Sequence, residues 1–427
     1  MLKKLIYICL LLAVCGVGSA AAAADIRVAL VSGQYTAEIS CDDEFAVVDN
    51  ITGAATIVPK GRYFLNAAEG RLTLDKFTFG RSIAIRGSEG KAAPEINKRR
   101  YAGQITASID GDKLLVRNVV DLEEYVKSVL PAKTMPIWPD EAIKAQAVAA
   151  RSYAWYMIAG SGGKAYDVAA MDKELSYQGI NSEKTAISKF VQATAGQVLA
   201  DGSGSPVMAV TTSSSGGRTE SAAAALDIAY SYLPSVADYD SDSPDYTWDY
   251  SITPALLQNF LEQRGYAVGR LASVRLSPMD EPGSDRSATG RVRYITFSGD
   301  AGAVQITGSE LKDMLSLNST LFDVETGTPV PDTLKVPIEN YYGMEIGSKD
   351  IDIKVNEDNK PVWKNLIRSY HLISGGREEK IIFHGRGKGS GVGLSMWGAR
   401  GMANANGKTT YRQILSHYYP GTYITRL

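Results

Sequence analysis

Three cysteines and three histidines are all that 427 residues contain. Cys9 and Cys15 lie in the first 24 residues, so Cys41 is the only thiol of the remaining chain. That excludes an intrachain disulfide and a thiolate zinc cage there. His371, His384 and His417 lack the i, i+4 spacing of a helical metal pair, so no metal and no cofactor are expected. Charge of one sign is also missing: 45 Lys and Arg face 47 Asp and Glu, a formal net of −2. No run of five or more like charges appears, which leaves no field to hold nucleic acid. Phe is scarce at 9 against 23 Tyr, a balance that suits aromatic surfaces with polar tips.

Only one long hydrophobic run is present, at the start. Met1-Leu-Lys-Lys is followed by apolar Leu5–Val17 and by small residues from Gly18 to Ala24, the order of a secretory signal cut before Asp25. An extracytoplasmic destination is therefore expected, secreted, periplasmic or wall-associated, with membrane attachment only if residues 1–24 are retained. Val14 before Cys15 argues against a lipid on that cysteine.

The rest of the chain changes texture along its length. Residues 25–100 alternate in short apolar runs broken by Gly53, Gly61, Gly70, Gly80, Gly87 and Gly90, a β-rich region. Ile105 to Val116 alternates on both sides of Asp110-Gly111, a hairpin signal. Asp121 three residues before Glu124 marks the start of a short helix ending near Leu130-Pro131. After Trp138-Pro139-Asp140 an alanine-rich helix is expected through Trp155. Between Asp238 and Tyr250 five Asp, three Tyr and Trp248 crowd together, a composition able to stack sugars or to form a solvated loop. Residues 325–380 read as an insertion, opened by Pro329, Pro331 and Pro337. Glycine then occupies every second position from Gly385 to Gly393, which fits neither a P-loop nor a dinucleotide fingerprint. Such a ladder permits close approach of another backbone or of a bulky ligand.

Six ordered motifs carry a family likeness: Leu122–Pro131, Trp138–Tyr153, Tyr177-Gln-Gly179, Ser213-Ser-Ser-Gly-Gly-Arg-Thr-Glu220, the glycine ladder with Trp397-Gly-Ala399, and His417-Tyr-Tyr-Pro-Gly-Thr422. Together they resemble the SpoIID/LytB family of sporulation proteins and amidase enhancers, over residues 99–324 and again 383–424. The resemblance implies an α+β fold with a core split into residues 101–324 and 381–427. It also implies a protein of the cell wall that acts on peptidoglycan glycan strands as a lytic transglycosylase or enhances a partner wall amidase or hydrolase.

In that family one glutamate protonates the glycosidic oxygen and then takes a proton from the sugar's C6 hydroxyl, closing a 1,6-anhydro ring. The matching stretch here is Pro131-Ala-Lys-Thr-Met-Pro-Ile-Trp-Pro139, with Lys133 at the glutamate's position, or Thr134 if Met135-Pro136 anchors the comparison. An ammonium of unperturbed pKa about 10.4 is a poor donor to an ether oxygen. Ser390, Met396 and Thr211-Thr212 also depart from the family pattern, and the Cys and His that hold zinc in some relatives are missing. Trp138, Gly216, Gly217, Arg218, Ser390, Ser395 and Trp397 are the candidate glycan-binding residues by this resemblance. The leading expectation is a glycan-binding or amidase-enhancing protein with little or no cleavage of its own. The alternative is an active transglycosylase using another carboxylate, with Asp140, Glu141, Glu123 and Glu220 as candidates.

Overall fold

The computed structural model describes residues 24–87, 93–132, 134, 137–171, 175–180, 185–327, 333–341, 344–352, 368–376 and 379–427. The signal segment, apart from Ala24, and Lys133 lie outside them.

Alternating apolar residues of the β-rich region build a seven-stranded sheet and a five-stranded sheet. In the larger one the spatial order is Val168–Ala169, Asp25–Gln34, Lys113–Asp121, Gln104–Asp110, Ser82–Gly87, Phe45–Asp49 and Ala55–Val58. All neighbours pair antiparallel except Val168–Ala169, which runs parallel to Asp25–Gln34. The hairpin at Asp110-Gly111 forms, with Asp110 opposite Lys113 and Gly111 at positive φ. The smaller sheet runs Phe77–Phe79, Arg71–Leu74, Gly61–Ala68, Thr36–Cys41 and Glu95–Ile96. Sequence left open whether residues 25–100 pack by themselves. Their strands share one sheet and one hydrophobic core with residues 104–121, so they complete the main body.

Eight helices are described: α1 Leu122–Val129, α2 Asp140–Gly160, α3 Thr185–Ala193, α4 Ala222–Leu226, α5 Pro254–Gln263, α6 Gly308–Leu315, α7 Met396–Asn406 and α8 Tyr411–Tyr418. Asp121 caps α1, its Oδ1 accepting the N–H groups of Glu123 (2.9 Å) and Glu124 (3.2 Å). Leu122, Tyr125, Val126 and Val129 follow helical spacing into the core. Helix α2 runs five residues past Trp155 and is buried almost all round, because Ala142, Ala145, Ala147, Ala149 and Ala150 let neighbours approach closely. It packs against α1, α3, α7 and α8. None of the described helices is long and apolar enough to cross a membrane.

A second core gathers around Leu257, Phe297, Phe322 and Phe383. It is built on a three-stranded sheet, Thr247–Ile252, Ile381–Arg386 and Phe322–Thr326, and a four-stranded one, Gly302–Thr307, Tyr294–Gly299, Leu271–Arg275 and Tyr370–Leu372. Within residues 325–380, Thr333–Glu339 and Glu345–Asp352 pair only with each other, whereas Tyr370–Leu372 joins the four-stranded sheet. The glycine ladder leaves Ile381–Arg386 and re-enters the first core at Val392 and Leu394, so it stitches the two cores together. The whole is α+β.

Candidate functional site

Leu394–Ser395 pairs parallel with Thr211–Thr212, which brings two distant motifs side by side. Close approach demands glycine in the ladder. At Gly393, with φ +72°, a Cβ would stand 2.1 Å from the Val210 carbonyl oxygen. At Gly391, with φ +79°, it would stand 2.1 Å from Nη2 of Arg291.

Ser395 is fully buried and caps α7, accepting the N–H of Gly398 at 3.0 Å. Two residues on, the N–H of Trp397 donates to the Ser213 carbonyl at 3.1 Å. That places the half-buried Trp397 indole edge-to-face on Trp138, 5.1 Å between centroids, with the Arg400 guanidinium 5.0 Å over its ring. Trp138 itself is only 5% exposed. Arg400 is also held by Asp242 at 3.0 Å. The Tyr239 backbone packs on α7 at Gly401, and its exposed ring lies edge-on to His417. Trp397, Arg400 and Tyr239 thus gather around α7.

The Ser-Gly-Gly stretch is organised around two aspartates. Asp240, buried, accepts the Ser214 hydroxyl (2.6 Å) and the N–H groups of Gly216 (2.9 Å) and Gly217 (3.0 Å). Asp238 accepts the Ser215 hydroxyl (2.5 Å), the Tyr418 hydroxyl (2.6 Å) and the Tyr239 N–H (2.8 Å), and also bonds Ser395. Burial, reinforced by the charge of Asp240, raises the Asp238 pKa above its ordinary value despite these donors. Burial likewise lifts the Tyr418 hydroxyl well above its ordinary value, and the Asp238 carboxylate adds to the effect.

Beneath the ladder lies Arg291, 4% exposed, donating from Nη2 to the Ser215 carbonyl at 2.7 Å. Burial pulls its pKa down to about 10, while Glu220 and Asp240 oppose the shift. Nε and Nη1 of this guanidinium have no hydrogen-bond partner among the described residues.

Of the sequence candidates, the structure brings Trp138 and Trp397 together and turns the backbones of Gly216 and Gly217 toward Asp240. Arg218 is exposed on the same segment, bridged through its backbone to Ala237. Ser390 is half-buried, its Oγ accepting the Val392 N–H at 3.3 Å. Thr134 is buried and donates to Gln146 at 2.5 Å.

Three of the four alternative carboxylates are engaged elsewhere. Glu123 grips Arg151 through two bonds of 2.8 Å. Glu141 accepts Lys144 at 2.6 Å and the Tyr411 N–H at 2.7 Å, tying α2 to α8. Glu220 is 3% exposed and accepts hydroxyls from Ser287 and Thr289. Asp140 sits exposed in the first turn of α2. Tyr418 lies in the His417–Thr422 motif, whereas Asp238, Asp240 and Arg291 were not singled out by motif. The crowding of Asp and Tyr after residue 237 was the signal for the two aspartates. Among the described residues no group of three or more His, Cys, Asp or Glu is arranged to hold a metal ion.

Residues 110–200 match the family model for SpoIID, stage II sporulation protein. The chain is 25% identical over 399 residues to the amidase enhancer of Bacillus subtilis, covering 91% of this chain and 52% of that protein. It therefore spans about half the length of that relative. To stage II sporulation protein D of the same organism it is 26% identical over 322 residues, 72% of this chain and 75% of the other. An uncharacterized protein of Brachyspira hyodysenteriae is 27% identical over 336 residues, 77% and 73%.

Proposed function

Because the chain belongs to the SpoIID/LytB family, with a role at the cell wall, we propose that it is exported through residues 1–24, holds peptidoglycan glycan strands and assists a partner amidase. In this reading it cleaves little or nothing itself. The observation that carries it is the surface around α7: a half-buried Trp397 backed by Trp138 and flanked by Arg400 and exposed Tyr239. Indole and phenol faces stack on the apolar faces of sugar rings, and a guanidinium hydrogen-bonds their hydroxyls. Lys133 at the position of the family's glutamate supports binding without cleavage.

The test uses purified sacculi, denuded glycan strands and a wall amidase. The chain is retained on sacculi and raises amidase turnover, Trp397→Ala weakens both, and mass spectrometry finds no anhydro-muramyl ends. Anhydro products appear with Lys133→Glu. Robust release of such products by the unmodified chain overturns the reading.

A second reading, cleavage through a different carboxylate, rests on Asp238, a desolvated carboxylate whose pKa burial raises. It requires turnover that is lost in Asp238→Asn, which the first reading does not.

A further inference from the structure

An open groove lies far in sequence from α7, beside the outer strands of the two N-terminal sheets. Ala55–Val58 is the outermost strand of the larger sheet and Phe77–Phe79 of the smaller, so among the described residues each leaves one backbone edge without a strand partner. Between them runs an open groove of about 530 Å³. Its floor is fixed by Asp49, which accepts the N–H groups of Ile51 (2.9 Å), Thr52 (3.0 Å) and Gly80 (2.7 Å). Those bonds occupy the single carboxylate of the lining, and Gly80 admits it because a Cβ there would stand 2.7 Å from the Asp49 oxygen.

Two arginines stand at one end. The N–H of Leu72 donates to the Gly80 carbonyl at 3.2 Å, which sets Arg71 and Arg81 beside each other across the end of the hairpin. Nη1 of Arg81 reaches to 3.4 Å from where a Cβ on Gly70 would be. Both arginines are exposed and line the groove. Arg62 of the same sheet pairs with Glu38; Arg71 and Arg81, like the exposed Arg86 and Arg99, have no carboxylate partner among the described residues. Like charges side by side in a sheet are destabilising, and one anion shared between them removes that cost. Beyond the arginines the lining turns to hydroxyls, Thr52, Thr56 and Thr78, with Ile51, 71% exposed, near the lip.

We propose that this groove binds a phosphodiester-linked polyol chain, one phosphate held between Arg71 and Arg81 and the polyol hydroxyls meeting the threonines and the free strand edges. A planar guanidinium matches two phosphate oxygens at once, so a pair of them selects phosphate over an isolated hydroxyl. The open length suits a polymer, and the hydroxyl-rich remainder suits a polyol over bare polyphosphate. This site is separate from the glycan surface around α7 and goes beyond the reading given above.

The test titrates the whole chain with a glycerol phosphate oligomer, with a neutral chitooligosaccharide of similar length, and with anionic lipid vesicles. The oligomer binds, its affinity falls as salt rises, and the double variant Arg71→Ala/Arg81→Ala weakens it at least about tenfold, with the lysine pair in between. An unchanged melting temperature and unchanged retention on polymer-stripped sacculi show that fold and glycan surface are intact. The proposal is overturned if the double variant binds the oligomer as well as the parent, if the neutral oligosaccharide competes equally, or if only the vesicles bind.

Discussion

Replacing Glu123 by Ala tests whether that carboxylate is a strut or a proton donor. Arg151 is 0% exposed, and Glu123 supplies both oxygens of its bidentate pair at 2.8 Å while also accepting the Gly196 N–H at 2.9 Å. Removing one partner of a buried ion pair costs about 3–5 kcal/mol, because the remaining charge has lost its counterion in a medium that solvates it poorly. Two corrections lower the figure here. The Glu123 side chain is 26% exposed, so water reaches the pair, and Arg151 keeps the carbonyls of Gln197 and Val191. About 2–4 kcal/mol remains. Against a total stability of about 5–15 kcal/mol, that moves a urea midpoint by about 1–2 M. The double variant Glu123→Ala/Arg151→Met recovers more than half of the loss, since methionine refills the volume without the stranded charge. A midpoint within about 0.3 M of the parent, combined with lost activity on glycan, would refute the strut and return Glu123 to the catalytic candidates.

Three further outcomes follow from the same geometry. Asp238 has a raised pKa in the folded chain, so its contribution to stability is fully present below the unfolded carboxylate pKa and is lost as pH rises through the folded one; Asp238→Asn, compared with the parent by thermal melts across mildly acidic pH, gains relative stability as pH rises, and parallel curves would contradict this. His384 bonds Asp249 at 2.7 Å and Glu325 at 3.0 Å across three strands, and these carboxylates raise its pKa although partial burial opposes them. Its stabilisation is present below the unfolded histidine pKa and fades as pH climbs through the folded value; with the cluster exposed the effect is below about 1 kcal/mol, and histidine NMR titration reads the direction directly. Gly391→Ala forces a methyl against Arg291 at a positive φ and costs about 2 kcal/mol or more, visible as a lowered melting temperature and a loss of hydrogen-exchange protection along residues 385–393.

Local chemistry explains which parts could be read from sequence. The turn at Asp110-Gly111, the cap at Asp121 and the start of α2 after Pro139 each depend on residues within four positions of one another. The ladder announced a close approach because alternate glycines report backbone demand directly. Its partners stayed hidden: Val210 and Ser214 stand more than 170 residues before it, and Arg291 about 100. No spacing rule joins Ser215, Asp238, Ser395 and Tyr418, which are far apart in sequence and meet only in the tertiary fold. The Ser-Gly-Gly motif looked like a ligand surface, yet the N–H groups of Gly216 and Gly217 are turned to Asp240.

That turn bears on which of the site's residues the fold itself requires. Asp240, Glu220 and Arg291 are buried and Asp238 is half-buried, and they bond the Ser214 hydroxyl, the Ser287 hydroxyl, the Ser215 carbonyl and the Ser215 hydroxyl respectively. Breaking any one strands a buried charge or donor, so these residues are constrained by folding whether or not sugar is cut. In the stretch from Pro131 to Trp138, Thr134 is held by Gln146 and Trp138 packs on Trp397. Under the proposed reading, a substitution at Lys133 changes the proton chemistry offered to a glycan, while the Trp138–Trp397 pair keeps its own contact. Glycan retention should therefore respond to Trp397 and hardly to Lys133, whereas any anhydro-product formation should respond to both.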